Sequence, residues 1–152
     1  QAHGVIEAVI DNAIIAVCAE AVGIMQTLNE MTRAYVDSRK QFGVAIGKFQ
    51  VLQHALVDMY MAHELSKSLT YRAAGAVATA DAGERARAAS AAKVQIGKAG
   101  KLIGEQAVQL HGGMGMTDEL AIGHYFKRLA MIETLFGNTD HHRRRFARLA
   151  AA

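Results

Sequence analysis

The stretch VIEAVIDNAIIAVCAEAVGIMQTLNEMTRAYVDSRK, residues 5–40, decides the fold. Its apolar positions Ile6, Ile10, Ala13, Val17, Ala21, Ile24, Leu28, Met31 and Tyr35 step by threes and fours. That spacing is one face of an α-helix, held for about nine turns. At 1.5 Å per residue the helix is roughly 50 Å long, and a single apolar stripe of that length needs partner helices of similar length. Gly4 and Gly43 bracket it.

The partners come in order along the chain. Residues 47–78 carry a second helical pattern through Phe49, Leu52, Leu56, Met59, Leu65, Leu69 and Ala73. Ala80, Asp81, Ala82 and Gly83 read as a short turn, with Asp81 as the N-cap of a third helix. Residues 84–110 repeat Ala88, Ala92, Ile96, Ala99, Ile103, Ala107 and Leu110, small residues that let helices approach closely. Thr117 is a candidate cap for a fourth helix over 118–135, with acids in its first turn as the helix dipole favours. Gly137 ends it, and Asn138 or Thr139 starts a short fifth helix to Ala150. Strand alternation, repeats and low-complexity linkers are not visible. The expectation is an all-α fold: an up-down four-helix bundle of long antiparallel helices plus a short C-terminal helix, one domain over 1–152.

Composition agrees. The 152 residues include no Pro and no Trp but seven Met, and Ala dominates, which favours helix. One cysteine, Cys18, rules out an internal disulfide framework and fits a reducing, cytoplasmic setting. No apolar run reads as a membrane span and no signal peptide is visible, so membrane association is not expected. The chain starts at Gln1 rather than Met, which suggests a fragment of a longer protein. The net charge of +3 is concentrated in the last dozen residues, HHRRRFARLAAA. A local basic segment points to a solvated helix face or one anionic ligand rather than to nucleic acid.

Three stretches could carry chemistry. In QLHGGMG, residues 109–115, three glycines in four positions let a backbone or flat ligand come close, and Gln109 offers an amide; a helix stop at Gly112 explains the same residues. In SRKQFGVAIGKFQ, residues 38–50, Arg39 supplies a planar fork suited to a phosphate pair. Phe42 and Phe49 supply flat apolar faces and Gln41 and Gln50 supply amides, though a helix corner with an aromatic plug reads equally well. In ETLFGNTDHHRRR, residues 133–145, Asn138, Thr139 and Asp140 could bind a ligand at a helix start or simply cap it. Cys18 sits among apolar neighbours and reads as a structural thiol. His63-Glu64 has no matching pair on another helix, and adjacent His141 and His142 point apart, so no metal site is expected.

Together, in this order and spacing, the three stretches resemble the C-terminal helical domain of acyl-CoA dehydrogenases. Arg39-x-x-Phe42-Gly43 with Phe49-Gln50 is similar to one flavin signature of that family. Gln109-x-x-Gly112-Gly113-x-Gly115, followed by Thr117 and Glu119, is similar to a second. Lys127-Arg128 through Gly137 and Arg143 resembles the closing segment. The resemblance implies FAD as cofactor and an acyl-CoA substrate, with loss of a proton α to the thioester and of a hydride from the β carbon. It implies that Arg39, Gln41 and Phe42 reach the FAD of a neighbouring subunit, with Arg39 at the pyrophosphate. It implies further that Gln109, Gly112 and Gly113 lie along the same cofactor.

The chain departs from the family at the base. The usual Glu position is Phe136, and the alternative on the first helix is Ala13. An Arg common next to that point is Ile14, with Asp11 retained nearby as a candidate substrate contact. The resemblance is therefore to the small, base-lacking subunit of heteromeric members, with a homologous partner in a dimer or tetramer supplying the base. A self-sufficient enzyme using another carboxylate, Glu133 or Asp140, is the second account, and a non-enzymatic helical interaction module the third.

Overall fold

The computed structural model describes residues 2–79 and 81–151. Helix α1 spans Ala2–Ser38, α2 Gln50–Thr79, α3 Ala82–His111, α4 Ile122–Thr134 and α5 Thr139–Ala150. A two-residue ribbon, β1 Lys40–Gln41 paired antiparallel with β2 Val44–Ala45, joins α1 to α2, followed by a 3-10 turn at Ile46–Lys48. Alternation could not reveal strands of two residues. A second 3-10 turn, Gly112–Met116, comes after α3.

Helix α3 is the axis of the bundle, because its Ala stripe leaves room for a neighbour on every side. Ala88, Ala92, Ile96, Ala99, Ile103 and Ala107 are all buried. On another face three glycines receive α4. A Cβ at Gly104 would lie 2.6 Å from Phe126 Cδ2, one at Gly100 would meet Leu129, and one at Gly97 would overlap the Glu133 carboxylate and the Thr139 hydroxyl. Rising numbers on α4 meet falling numbers on α3, so α4 runs antiparallel to it. Helix α5 continues the same way, with His142 at Ser90 and Arg87 at the Leu149 carbonyl. The expected fourth helix and short fifth helix are thus both present and together form one broken fourth helix along α3, interrupted at residues 135–138.

The register of α1 is set by ion pairs. Asp11, fully buried, meets Arg145 at 2.7 Å and Arg85 at 3.3 Å, and Glu20 takes a two-bond clamp from Arg128. These contacts bracket the break in the fourth helix, which therefore lies level with the part of α1 that contains Ala13 and Ile14.

Several sequence expectations need correction. The buried stripe of α1 is Asp11, Ile14, Ile15, Cys18, Ala21, Met25, Leu28, Thr32 and Val36. Ile6 and Ile10 are exposed. The first half of α1 is apolar on more than one face, so two stripes compete, and the ion pairs of Asp11 select the other. On α2, Leu65 is exposed while His63, Ser66 and Thr70 are buried. Thr117 does not cap a helix; its hydroxyl donates to the Met114 carbonyl, and α4 starts only at Ile122, with no side-chain cap. Contrary to the reading that no segment resembles a membrane span, α1 is long and apolar enough to cross a bilayer, with a mean hydropathy of 1.8 over its best window. Its buried acid and its packing against α2 and α3 are those of a bundle's core helix.

The caps at Asp81 and Asn138 form as expected, accepting from the amides of Glu84 and His141. Ala80, in the same turn as Asp81, lies outside the described residues.

Candidate functional site

Two Phe–Gly pairs mark the places where the backbone is forced. Phe42 (φ 54°) and Gly43 (φ 80°) form the two-residue loop of the β1–β2 ribbon. Both central residues of such a tight hairpin need positive φ, which suits Gly and Asn rather than Phe. A left-handed non-glycine residue costs roughly 1–2 kcal/mol. Phe42 is nevertheless 90% exposed, touching Phe49 edge-on at 6.1 Å between ring centroids. A strained aromatic held out into solvent, where one edge contact with Phe49 is all that folding gains from it, points to a contact outside the chain.

The same end of the bundle carries the other residues singled out from the sequence. Tyr35, one turn before Arg39, stacks on His111, one residue before Gly112, with ring centroids 4.4 Å apart. His111 is buried and its Nδ1 bonds the Ala107 carbonyl at 2.7 Å. This contact brings the ribbon and the glycine segment to one end of the fold. The side chains of Arg39, Gln41, Gln50 and Gln109 are exposed there, with no hydrogen-bond partner among the described residues. Gly112 is the C-cap of α3, φ 57°, and its amide donates to the Gln109 carbonyl. Gly115 is needed inside the chain, because a Cβ there would lie 2.7 Å from the Val108 carbonyl. Gly113 has neither excuse: its φ is not positive, and an added Cβ would meet nothing within 4 Å. An outside molecule approaching that backbone would explain it, so the residues fit a flat, anionic cofactor.

The second Phe–Gly pair, Phe136 (φ 57°) and Gly137 (φ 102°), forms the break in the fourth helix. The fully buried Lys93 reaches it from α3, donating to the carbonyls of Gly137 at 2.8 Å and Glu133 at 3.0 Å. Burial pushes the Lys93 ammonium down, and the Glu133 carboxylate partly opposes this. His142 Nε2 bonds the Phe136 carbonyl at 3.0 Å, while its Nδ1 faces Ser90 Oγ at 3.3 Å. Arg145 bonds both Ser90 Oγ and Asp11, so a buried polar chain runs from the Phe136 turn to α1. Burial pushes His142 down to about 4, with Lys93, His141 and Arg145 adding to the shift and the Phe136 carbonyl opposing it. Sequence reasoning missed Lys93 and Ser90 and weighed His142 only as a metal ligand pointing away from His141, whereas the two rings meet edge-on at 5.1 Å; a lysine on an otherwise small helix face gives no periodic signal.

Of the remaining sequence candidates, Phe136 is exposed, and neither it nor Ala13 can accept a proton. Glu133 Oε1 accepts the Thr139 amide at 2.9 Å, and Oε2 is buried against α3 without a partner. The Asp11 oxygens are taken by Arg85 and Arg145. A cavity of about 470 Å³ between α1, α3 and α5 opens beside them, lined also by His141 and Arg148. Cys18 is buried, and its thiol is pushed up to about 12 by burial, with Lys93 opposing. Among the described residues no three His, Cys, Asp or Glu side chains form a metal-ligand group.

Gly112 lies nineteen residues beyond Lys93 on α3, roughly 28 Å at 1.5 Å per residue. The ribbon end and the Phe136 turn are therefore separate places.

A family model described as the acyl-CoA dehydrogenase C-terminal domain matches residues 3–150. The human mitochondrial short-chain specific acyl-CoA dehydrogenase is 31% identical over 131 residues, which is 86% of this chain and 31% of that protein. The chain thus spans about a third of the length of such relatives. Among solved structures, PigA with FAD and proline aligns with a TM-score of 0.86 at 27% identity, over 93% of this chain and 37% of that one. The ChsE4–ChsE5 complex from Mycobacterium tuberculosis aligns with a TM-score of 0.87 at 25% identity, over 93% and 38%.

Proposed function

Since the chain belongs to the acyl-CoA dehydrogenase family, as its C-terminal helical domain, we propose that it supplies the flavin-contacting bundle of an FAD-dependent acyl-CoA dehydrogenase at a subunit interface. The observation that carries this reading is the convergence at one end of the bundle of the strained, exposed Phe42 and the unpaired Arg39 with Gly113, whose Cβ position is open. Arg39 would bind the pyrophosphate. Phe42 and Phe49 would offer apolar faces, Gln41, Gln50 and Gln109 hydrogen bonds, and Gly112 and Gly113 close backbone approach. Bound there, FAD supplies the acceptor for the hydride that leaves the β carbon of an acyl-CoA thioester. PigA is known with FAD, which supports the cofactor assignment.

The α proton needs a base within hydrogen-bond reach. The Phe136 turn and Ala13 bring none, and the separation of roughly 28 Å from the glycine segment argues that one chain does not furnish both halves of a site. We place the base on a homologous partner subunit, as the heteromeric ChsE4–ChsE5 neighbour supports. Glu133 is the weaker alternative, because its carboxylate caps α5 and faces α3. Asp11 would act in acyl-CoA binding only through the arginines it holds at the 470 Å³ cavity.

The test is flavin content. In the purified assembly of this chain with its partner, Arg39→Ala should lose most of the yellow flavin absorbance without loss of assembly. Unchanged flavin content ends the cofactor-surface reading. Full dehydrogenase activity from this chain alone, with no partner, ends the partner-base reading.

A further inference from the structure

A cleft of about 300 Å³ lies between α1 and α2, away from both the ribbon and the Phe136 turn. Its floor holds two buried polar atoms without partners, Asn29 Oδ1 and His63 Nε2. Asn29 uses its amide nitrogen on the Met59 carbonyl at 3.4 Å, which fixes Oδ1 as the free acceptor. Met59 is one helical turn before His63, and both orphan atoms belong to residues that line this cleft. His63 is 5% exposed, and its Nδ1 lies 3.4 Å from Glu64 Oε1. A proton on Nδ1 facing that carboxylate leaves Nε2 a lone pair, hence a second acceptor. Buried acceptors without donors are costly, and natural folds keep few of them.

The walls narrow the ligand class. Leu56 and Tyr60 line an apolar and aromatic side. Glu30 stands at the mouth with one oxygen bonded by Gln26 and the other uncommitted. Of the cations present, Lys67 is engaged, bonding Glu64 at 2.6 Å, while Arg33 is an exposed rim residue 3.9 Å from Asp37. Two acceptors, a carboxylate and an aromatic wall together suit a cation with several N–H donors on an apolar stem.

We propose that the α1–α2 cleft is a binding site for a guanidinium or alkylammonium group, seated on Asn29 Oδ1 and His63 Nε2 with Glu30 at the mouth. The site does not depend on the flavin reading, since it shares no residue with it. The group could belong to a free small molecule or to a side chain of a neighbouring subunit.

Nitrogen-15 NMR of the His63 ring in the intact protein separates these sources. Titration with methylguanidinium, and separately with n-butylammonium, should move Nε2 saturably. Asn29→Leu should weaken the binding of either probe about tenfold. Glu30→Gln, an exposed change that leaves the fold intact, should weaken it about threefold. If a neighbouring subunit supplies the group, Nε2 already reads as hydrogen-bonded in concentrated protein and is released on dilution to monomers. A Nε2 signal unmoved by both probes and by dilution overturns the proposal.

Discussion

Tyr35 stacks on His111 with ring planes 29° apart, and through this one contact the ends of α1 and α3 share a register. The ribbon begins a few residues beyond Tyr35 and the glycine segment directly after His111. Tyr35→Ala removes the stacked pair and leaves His111 uncovered. We expect a stability loss of about 1–3 kcal/mol by denaturant unfolding. Flavin retention by the assembly should fall with it, because Arg39 and Gly113 no longer hold a common spacing. Retention at the wild-type level in a measurably destabilised variant would show that the stack does not position the cofactor surface.

The glycines of QLHGGMG divide into two with an internal role, Gly112 as the α3 cap and Gly115 against Val108, and one without, Gly113. Gly115→Ala puts a methyl group 2.7 Å from the Val108 carbonyl and 3.1 Å from His111 Cβ, so it should destabilise by about 1–3 kcal/mol. Gly113→Ala meets open space at an allowed φ and should leave thermal stability within about 0.5 kcal/mol of wild type. It should nonetheless lower flavin content, because the methyl group occupies the approach to the backbone. Wild-type flavin in Gly113→Ala would remove the main support for the cofactor surface.

His142 gives the fold an acid limit. Its folded value is depressed from 6.5 to about 4, so between these values the unfolded chain takes up a proton that the folded chain refuses. The stabilisation is complete above about 6.5 and is lost as pH falls to 4, with a span of about 3 kcal/mol. Urea unfolding at pH 7 and pH 4 measures it. In His142→Gln the pH dependence should shrink by that amount; an identical drop in both proteins would place the acid sensitivity elsewhere.

What the sequence made legible, and what it hid, has a common physical cause. Periodicity reports how often apolar residues recur, so it found α3, where Ala and Ile recur on one face and glycines on another. It placed Ala21 and Leu28 in the core of α1 but misjudged the start of the stripe, because Ile6, Val9 and Ile10 compete with Ile14, Ile15 and Cys18, and the outcome is decided by Asp11, a charge that apolar counting treats as surface. It also ran the fourth helix back to residue 118, because Thr117 has capping chemistry but spends its hydroxyl on Met114. Spacing motifs fared differently. Arg39, Phe42, Gln109 and Gly113 were visible by type and order, but that Gly113 is free and Gly115 is not depends on what surrounds each Cβ. The roles of Lys93, Ser90 and His142 were invisible because they hold main-chain carbonyls and each other, a task any donor could perform.

Lys93 is the sharpest test of that hidden layer. Its ammonium joins the carbonyls on either side of the Phe136 turn, so Lys93→Met leaves two acceptors without a donor while removing a charge that burial already penalises. The lost hydrogen bonds outweigh the relief, because Met fills the space of the side chain but cannot donate; the net cost should be about 1–3 kcal/mol. The effect should be local. The amides of Gly137, bonded to the Thr134 carbonyl, and of Thr139, bonded to Glu133, should exchange with solvent faster, while those near Ile103 in α3 keep their protection. With the turn loosened, Phe136 can leave its left-handed conformation, and Phe136→Glu placed on that background should add no dehydrogenase activity to the assembly. Unchanged exchange at Gly137 and Thr139 in Lys93→Met would show that His142 and the Glu133 cap hold the turn without the lysine.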